Sequence, residues 1–270
     1  MPAWRSSWRG SFPSASSARL VSVALGLSMS AGVACCAGSR GSVSAAGTGS
    51  ASASRGSTHK TSRRPLVVGL AGCTASGKST LCDAIVARQG GSAAVGVVTL
   101  DEFWLPLDRV PKLPMAWLRA NTTMAKLKAH DTNIPAAMDW EAAEARVVAA
   151  IQAATEAATD VLFVEGFLLF SQPQLLARLD RLVYLTVDDA EGEVLMMRKW
   201  GRAHLGKPSY EDRGVTVEEY RRYWEECVIG RFQKWGASRP AGTVEVPCMM
   251  PTAEQVEILA RELPLPDPRR

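Results

Sequence analysis

Residues Gly72-Cys73-Thr74-Ala75-Ser76-Gly77-Lys78-Ser79 carry two glycines spaced for a tight loop, then a lysine and a hydroxyl residue. The apolar run Leu66-Val67-Val68-Gly69-Leu70-Ala71 precedes the loop, and a helical pattern from Lys78 follows it. A strand that ends in such a loop and a helix that begins in it commit the chain to an α/β fold, with the loop at the carboxyl edge of the sheet. The chemistry is that of a polyphosphate cradle. Glycines let the backbone approach, its amides face the phosphates, the lysine reaches the β and γ groups, and the hydroxyl is a magnesium ligand. Gly72, Gly77, Lys78 and Ser79 supply these parts, and Thr74, Ala75, Ser76 and Thr80 complete the stretch expected to bind ATP with Mg2+.

Beyond Pro65 short β-branched runs alternate with helical patterns, which predicts a parallel five-stranded sheet with helices on both faces. The expected strands are Leu66 to Ala71, Val95 to Leu100, Val161 to Val164, Leu182 to Val187 and Thr243 to Val246. The expected helices run over Lys78 to Gln89, Glu141 to Ala158, Gln174 to Leu179, Ala190 to Arg202, Val217 to Trp235 and Ala253 to Leu263. Between Leu105 and Pro135, prolines at 106, 111, 114 and 135 punctuate a segment too long for an idle connection. It reads as a flap over a substrate, partly helical around Trp117 to Leu127.

The first 64 residues read as a separate, low-complexity extension rich in Ser, Ala, Gly and Arg, and residues 65–270 as one catalytic domain. Eight of the 31 basic residues and none of the 27 acidic ones fall in the extension, leaving 23 against 27 in the remainder. A mildly acidic folded part argues against a nucleic-acid partner. Arginine and serine without acids match an organellar transit peptide, although Leu20 to Ala37 imitates a signal sequence. That stretch is too rich in Ser, Gly and Ala to span a membrane, and an ATP-dependent enzyme gains nothing from secretion, so the expected address is cytoplasmic or organellar, mitochondrion or plastid, with a disordered extension that carries no address as the third reading. The six cysteines lack a Cys-x-x-Cys spacing and are expected to be reduced thiols, with Cys73 merely a small residue that fits its loop.

Phosphoryl transfer to an alcohol needs a group to take the hydroxyl proton, a metal ligand and cations over the transferring group. Asp101 stands at the end of a strand expected beside the phosphate loop, as base and metal-side carboxylate, while Glu102 faces the other way. Val161-Leu162-Phe163-Val164-Glu165 is an apolar strand ending in a magnesium-binding carboxylate that would act with Ser79. Arg198, Lys199 and Arg202 close a predicted helix, and Gly201, Gly206 and Pro208 follow as a hinge, the pattern of a small lid. Arg198 and Arg202, four apart, would share a helix face over the phosphates. Val217, Tyr220, Trp224, Cys227 and Val228 have core spacing, with Glu218, Arg221, Arg222 and Glu226 as solvated pairs.

The phosphate loop, Leu100-Asp101-Glu102-Phe103-Trp104, Asn133-Ile134-Pro135-Ala136-Ala137-Met138-Asp139-Trp140 and Val164-Glu165-Gly166-Phe167-Leu168-Leu169-Phe170 together resemble nicotinamide riboside kinases, within the uridine kinase-like P-loop kinases. The resemblance implies ATP-dependent phosphorylation of the ribose 5′-hydroxyl of nicotinamide riboside, and of nicotinic acid riboside, feeding NAD synthesis. It implies Asp101 as base, Ser79 and Glu165 as magnesium ligands and Lys78 as clamp; Phe103, Trp104 and Lys199 are further candidates on the substrate side. The family's Asp-x-Pro-x-Ala motif departs here to Asn133, with Asp131 two residues earlier, and either is a candidate ribose contact. His204 stands where the family carries a ring that stacks on nicotinamide, and His130 is a second candidate ring. A uridine or cytidine kinase is the alternative enzyme. A non-catalytic nucleotide-binding protein would be expected to have damaged catalytic positions. The oligomeric state is open between monomer and homodimer.

Overall fold

β1 (Leu66–Gly72) is apolar along its whole length because both of its faces are covered, and its residues from Val67 onward are buried. In the computed structural model, which describes residues 63–89, 91, 94–203 and 206–265, it is the middle strand of a five-stranded, all-parallel sheet. The others are β2 (Val95–Thr99), β3 (Val161–Gly166), β4 (Arg181–Thr186) and β5 (Val244–Pro247), in the order β2-β3-β1-β4-β5. The fold is therefore the expected α/β architecture. The expectations for the amino-terminal extension up to Ser62, and for His204, lie outside the described residues. Arg64, assigned from sequence to the extension, forms an ion pair with Asp180 at 2.7 Å, and Asp180 also accepts from the Val67 amide.

Strand order corrects one expectation. The sequence reading puts β2 beside the phosphate-loop strand, but β3 stands between them, pairing Leu66↔Val161 through Ala71↔Gly166 on one side and Val95↔Val161 through Thr99↔Glu165 on the other. Asp101 is also not a strand end: β2 stops at Thr99, and Asp101 lies in a 3-10 turn, Leu100–Phe103. Gly166 explains how this turn fits, since a Cβ there would sit 2.7 Å from Leu100 Cδ1.

The helices are α1 (Lys78–Arg88), α2 (Met115–Leu118), α3 (Thr123–Leu127), α4 (Trp140–Glu156), α5 (Pro173–Leu176), α6 (Asp189–Gly201), α7 (Val217–Tyr223), α8 (Gly230–Trp235) and α9 (Thr252–Glu262). Their starts follow from capping chemistry. Asp139 accepts from the Ala142 amide, Thr122 from Ala125 and Thr216 from Glu219, and Asp188 forms a reciprocal box with Glu191. The single helix expected over Val217 to Trp235 is interrupted by a π-helical stretch, Trp224–Ile229, an interruption invisible to a 3.6-residue period. The expected helix within the flap is two short ones, α2 and α3. Tyr220, Trp224, Cys227 and Val228 are buried as their spacing required. Arg222 pairs with Glu226 at 3.0 Å, while Arg221 turns to Glu193 on α6 at 2.6 Å.

Candidate functional site

The phosphate loop owes its shape to two left-handed residues, Ala75 (φ 62°) and Gly77 (φ 95°), on either side of Ser76. Such alternation builds an anion-binding nest of backbone amides, here at the start of α1. Gly77 can hold this φ without strain, and Ala75 bears a modest cost there. Gly72 is required for space: a Cβ would lie 3.0 Å from both Leu185 Cβ and the Ser76 hydroxyl. That hydroxyl is buried with no hydrogen-bond partner among the described residues, the kind of orphan a phosphate oxygen relieves. Lys78 is only 9% exposed, and its ammonium donates to the carbonyls of Gly72 (3.1 Å) and Cys73 (3.0 Å).

Beneath the loop the Glu165 carboxylate is 3% exposed. Its Oε1 accepts from Ser79 Oγ at 2.8 Å and from Thr99 Oγ1 at 3.3 Å. Register brings Thr99 to the carboxylate, because Glu165 on β3 is flanked by Leu70 on β1 and Thr99 on β2, while Ser79 reaches it from the first turn of α1. The set of carboxylate and hydroxyl oxygens suits a hard cation such as Mg2+. Sequence reasoning misses Thr99, because a threonine in a β-branched run is ordinary strand composition.

Asp101 is solvent-exposed at the rim. Its field reaches Lys199 on α6, and so do those of Lys128, Arg202 and Lys78. Burial pushes the Lys199 ammonium below the usual lysine range, and Lys128 and Arg202 push it the same way, against Asp101. Arg198 is exposed on α6, where its charge acts on the Cys248 thiol. Arg202 is the extended cap that ends α6 (φ −99°, ψ 122°), so the two arginines do not share a helix face.

On the flap side, Asp131 is buried and its Oδ2 accepts from Arg231 Nε of α8 at 2.8 Å, while its Oδ1 accepts from the Asn133 amide at 3.3 Å. Asn133 Nδ2 donates to the Tyr223 hydroxyl at 3.0 Å. Both candidate ribose contacts are therefore already engaged with α7 or α8. An open cavity of about 450 Å³ lies against Asp131, Ile134, Arg231 and Trp235. His130 forms an isolated bridge with Lys112, and Trp104 one with Met138, which fixes the flap's backbone. Phe103 is half-buried, and its carbonyl accepts from the Asp139 amide at 2.8 Å.

Lys128, absent from the sequence-based candidates, lies 5.9 Å from the Tyr210 ring centroid. Burial works against its charge, yet Tyr223 and Tyr210 hold it above the usual lysine range. Tyr210 packs on Tyr220 at 4.7 Å, and Tyr223 on Trp117 at 5.9 Å, so α7 joins lid and flap. No spacing in the sequence announces this cluster. The thiols are inert by burial: Cys73 is pushed up to about 12, and Cys82 higher still.

No family model and no curated protein matches the chain. Among solved structures it is similar to a candidate fructose transport system kinase from Silicibacter sp. TM1040, with 22% identity, TM-score 0.45, 68% of this chain and 90% of that one covered. It is also similar to a sugar kinase from Janibacter sp. HTCC2649, with 13% identity, TM-score 0.43 and coverage of 75% and 96%. A third is TT1252 from Thermus thermophilus, with 18% identity, TM-score 0.35 and coverage of 74% and 99%. Among the described residues, no helix is long and apolar enough to cross a membrane.

Proposed function

We propose that this chain is a magnesium- and ATP-dependent kinase that phosphorylates the ribose 5′-hydroxyl of a pyridine riboside, nicotinamide riboside or nicotinic acid riboside, to its mononucleotide. The observation that carries the phosphotransfer is the buried Glu165 carboxylate joined to Ser79 and Thr99 under a complete phosphate loop. The riboside as acceptor rests on the sequence resemblance.

Ser79 and Glu165 would hold Mg2+, with Thr99 orienting the carboxylate. Bound there with the nucleotide, the ion would supply positive charge against the phosphates. Lys78 exchanges its two backbone carbonyls for phosphate oxygens, and Ser76 gains the partner it lacks. Asp101 takes the proton from the acceptor hydroxyl as its oxygen attacks the γ-phosphorus. Arg198, Lys199 and Arg202 bring positive charge to the transferring group. Phe103, Trp104, His130, Asp131 and Asn133 form the acceptor side, and His204, outside the described residues, is assigned to it by the sequence resemblance alone. Asp131 and Asn133 do so from a fixed loop, tied to Arg231 and Tyr223.

A coupled ADP-release assay on the full chain with magnesium-ATP tests the reading against nicotinamide riboside, nicotinic acid riboside, uridine and cytidine. Turnover of either pyridine riboside, with kcat falling roughly 10²–10⁴-fold in Asp101→Asn, is the expected result. A higher kcat/KM for uridine or cytidine moves the protein to the pyrimidine branch. Undiminished kcat in Asp101→Asn removes the assigned base.

A further inference from the structure

The buried stripe that begins on α7 runs through Tyr220, Tyr223, Trp224, Cys227 and Val228. An unbroken 3.6-residue period would carry it on to Arg231, Lys234 and Trp235, two cations and an indole where core side chains are due. The π-helical stretch Trp224–Ile229 prevents this, because hydrogen bonds closed over five residues instead of four shift the phase by about one residue. Phe232 takes the core place instead, buried against Phe167 at 5.1 Å and Tyr184 at 6.2 Å. Arg231, Lys234 and Trp235, three and four apart, turn together to one side of α8 and line the cavity of about 450 Å³. Across from them stand Ile134, Pro135 and Ala136 of the flap. Neither the phosphate loop nor Thr99, Glu165 or Asp101 contributes to this lining, and of the residues given to the acceptor only Asp131 does.

Asp131 is already occupied: Oδ2 accepts from Arg231 Nε at 2.8 Å and Oδ1 from the Asn133 amide at 3.3 Å. Its buried carboxylate therefore holds the guanidinium in place, while the two terminal nitrogens of Arg231 have no hydrogen bond among the described residues. A guanidinium anchored in this way presents its remaining N–H groups as a planar fork that matches a carboxylate. Lys234 Nζ lies 4.7 Å from the Trp235 ring centroid, and the indole is 36% exposed beside it. Arg231 and Lys234 against Asp131 leave one positive charge in excess in an otherwise apolar lining. From this arrangement we infer that the cavity is a second ligand site, apart from the transfer site, that takes an aromatic carboxylate. The ring lies between Trp235 and the Ile134 to Ala136 side, and the carboxylate meets the Arg231 fork with Lys234 as its second charge. An apolar cavity of this size with a few placed polar groups is the usual form of a small-molecule site, and a flat ring gains from an indole beyond the area that it buries.

The test is calorimetric titration of the full chain with 2-naphthoate and its neutral isostere 2-naphthamide, each with and without saturating magnesium-ADP. A hydrogen bond to a charged group predicts that the acid binds roughly tenfold tighter than the amide, with or without the nucleotide. Arg231→Lys keeps a cation for Asp131 but removes the fork, and should bring the acid to within about threefold of the amide. Trp235→Ala, at an exposed helix end where the fold does not depend on it, should weaken both probes roughly tenfold. Melting temperatures of both variants report folding separately. Equal affinity of the two probes, binding of neither, loss of the acid in magnesium-ADP, or an affinity for the acid that Trp235→Ala leaves unchanged overturns the inference. Because no turnover is read, none of these results bears on the kinase reading, and failure of that reading leaves this one standing.

Discussion

The floor of the site and its acceptor wall are built on opposite plans. The floor is three oxygen-bearing side chains, Ser79, Thr99 and Glu165, fixed by the ends of neighbouring elements and hydrogen-bonded to one another through the carboxylate. The wall is drawn from the flap, α6, α7 and α8, and it carries lysines that end in no ion pair among the described residues. Preorganised groups act on charge at no reorganisation cost, whereas uncompensated ones cost stability until a ligand arrives. Under the proposed function the floor is the catalytic element and the wall the selective one.

The sharpest way to break this contrast is at the floor. Glu165→Gln keeps an oxygen for Ser79 and Thr99 but removes the charge, and should lower kcat by roughly 10²–10³-fold with little change in melting temperature. Retained activity would strip the floor of its catalytic role. Next comes the anchor of the wall. Asp131→Ala leaves Arg231 without the partner that its 6%-exposed carboxylate provides, at a cost of about 3 kcal/mol, or roughly 6–12 °C in melting temperature. A shift in KM without a melting change would instead make Asp131 a direct ribose contact.

A smaller effect of mixed sign is expected at Lys199. Its folded-state pKa lies below the ordinary lysine value, so between the two the unfolded chain binds the extra proton. Its penalty is present at neutral pH and is relieved as pH rises through the folded pKa. Lys199→Met should then melt slightly higher at pH 7, lose that alkaline rise, and turn over roughly tenfold more slowly. The smallest effect is none at all: Cys73 and Cys82 should resist thiol reagents at neutral pH in the native state, as read by peptide mapping.

The legibility of the site follows the same division. Ser79 and Lys78 belong to one contiguous motif, and Glu165 ends an apolar run, so local spacing exposes them. Lys128, Tyr223 and Arg231 look like ordinary flap and helix residues, because nothing near them in sequence marks what they face. Arg202 is misplaced by periodicity, which carries it onto the face of Arg198, while α6 ends at Gly201.

The sequence by itself determined the phosphate loop, the alternation of strand and helix, and the parallel α/β class, since each depends on backbone demands and periodicities that neighbouring residues satisfy together. Tertiary structure alone decided that β3, not β2, lies beside β1, and thereby that Thr99 and Ser79 meet on one carboxylate. It also decided that Asp131 spends its charge on Arg231 while Lys128 and Lys199 form no ion pair among the described residues. Strand order and ion pairing depend on how separate segments pack across the sheet, and local sequence does not encode which distant partner arrives.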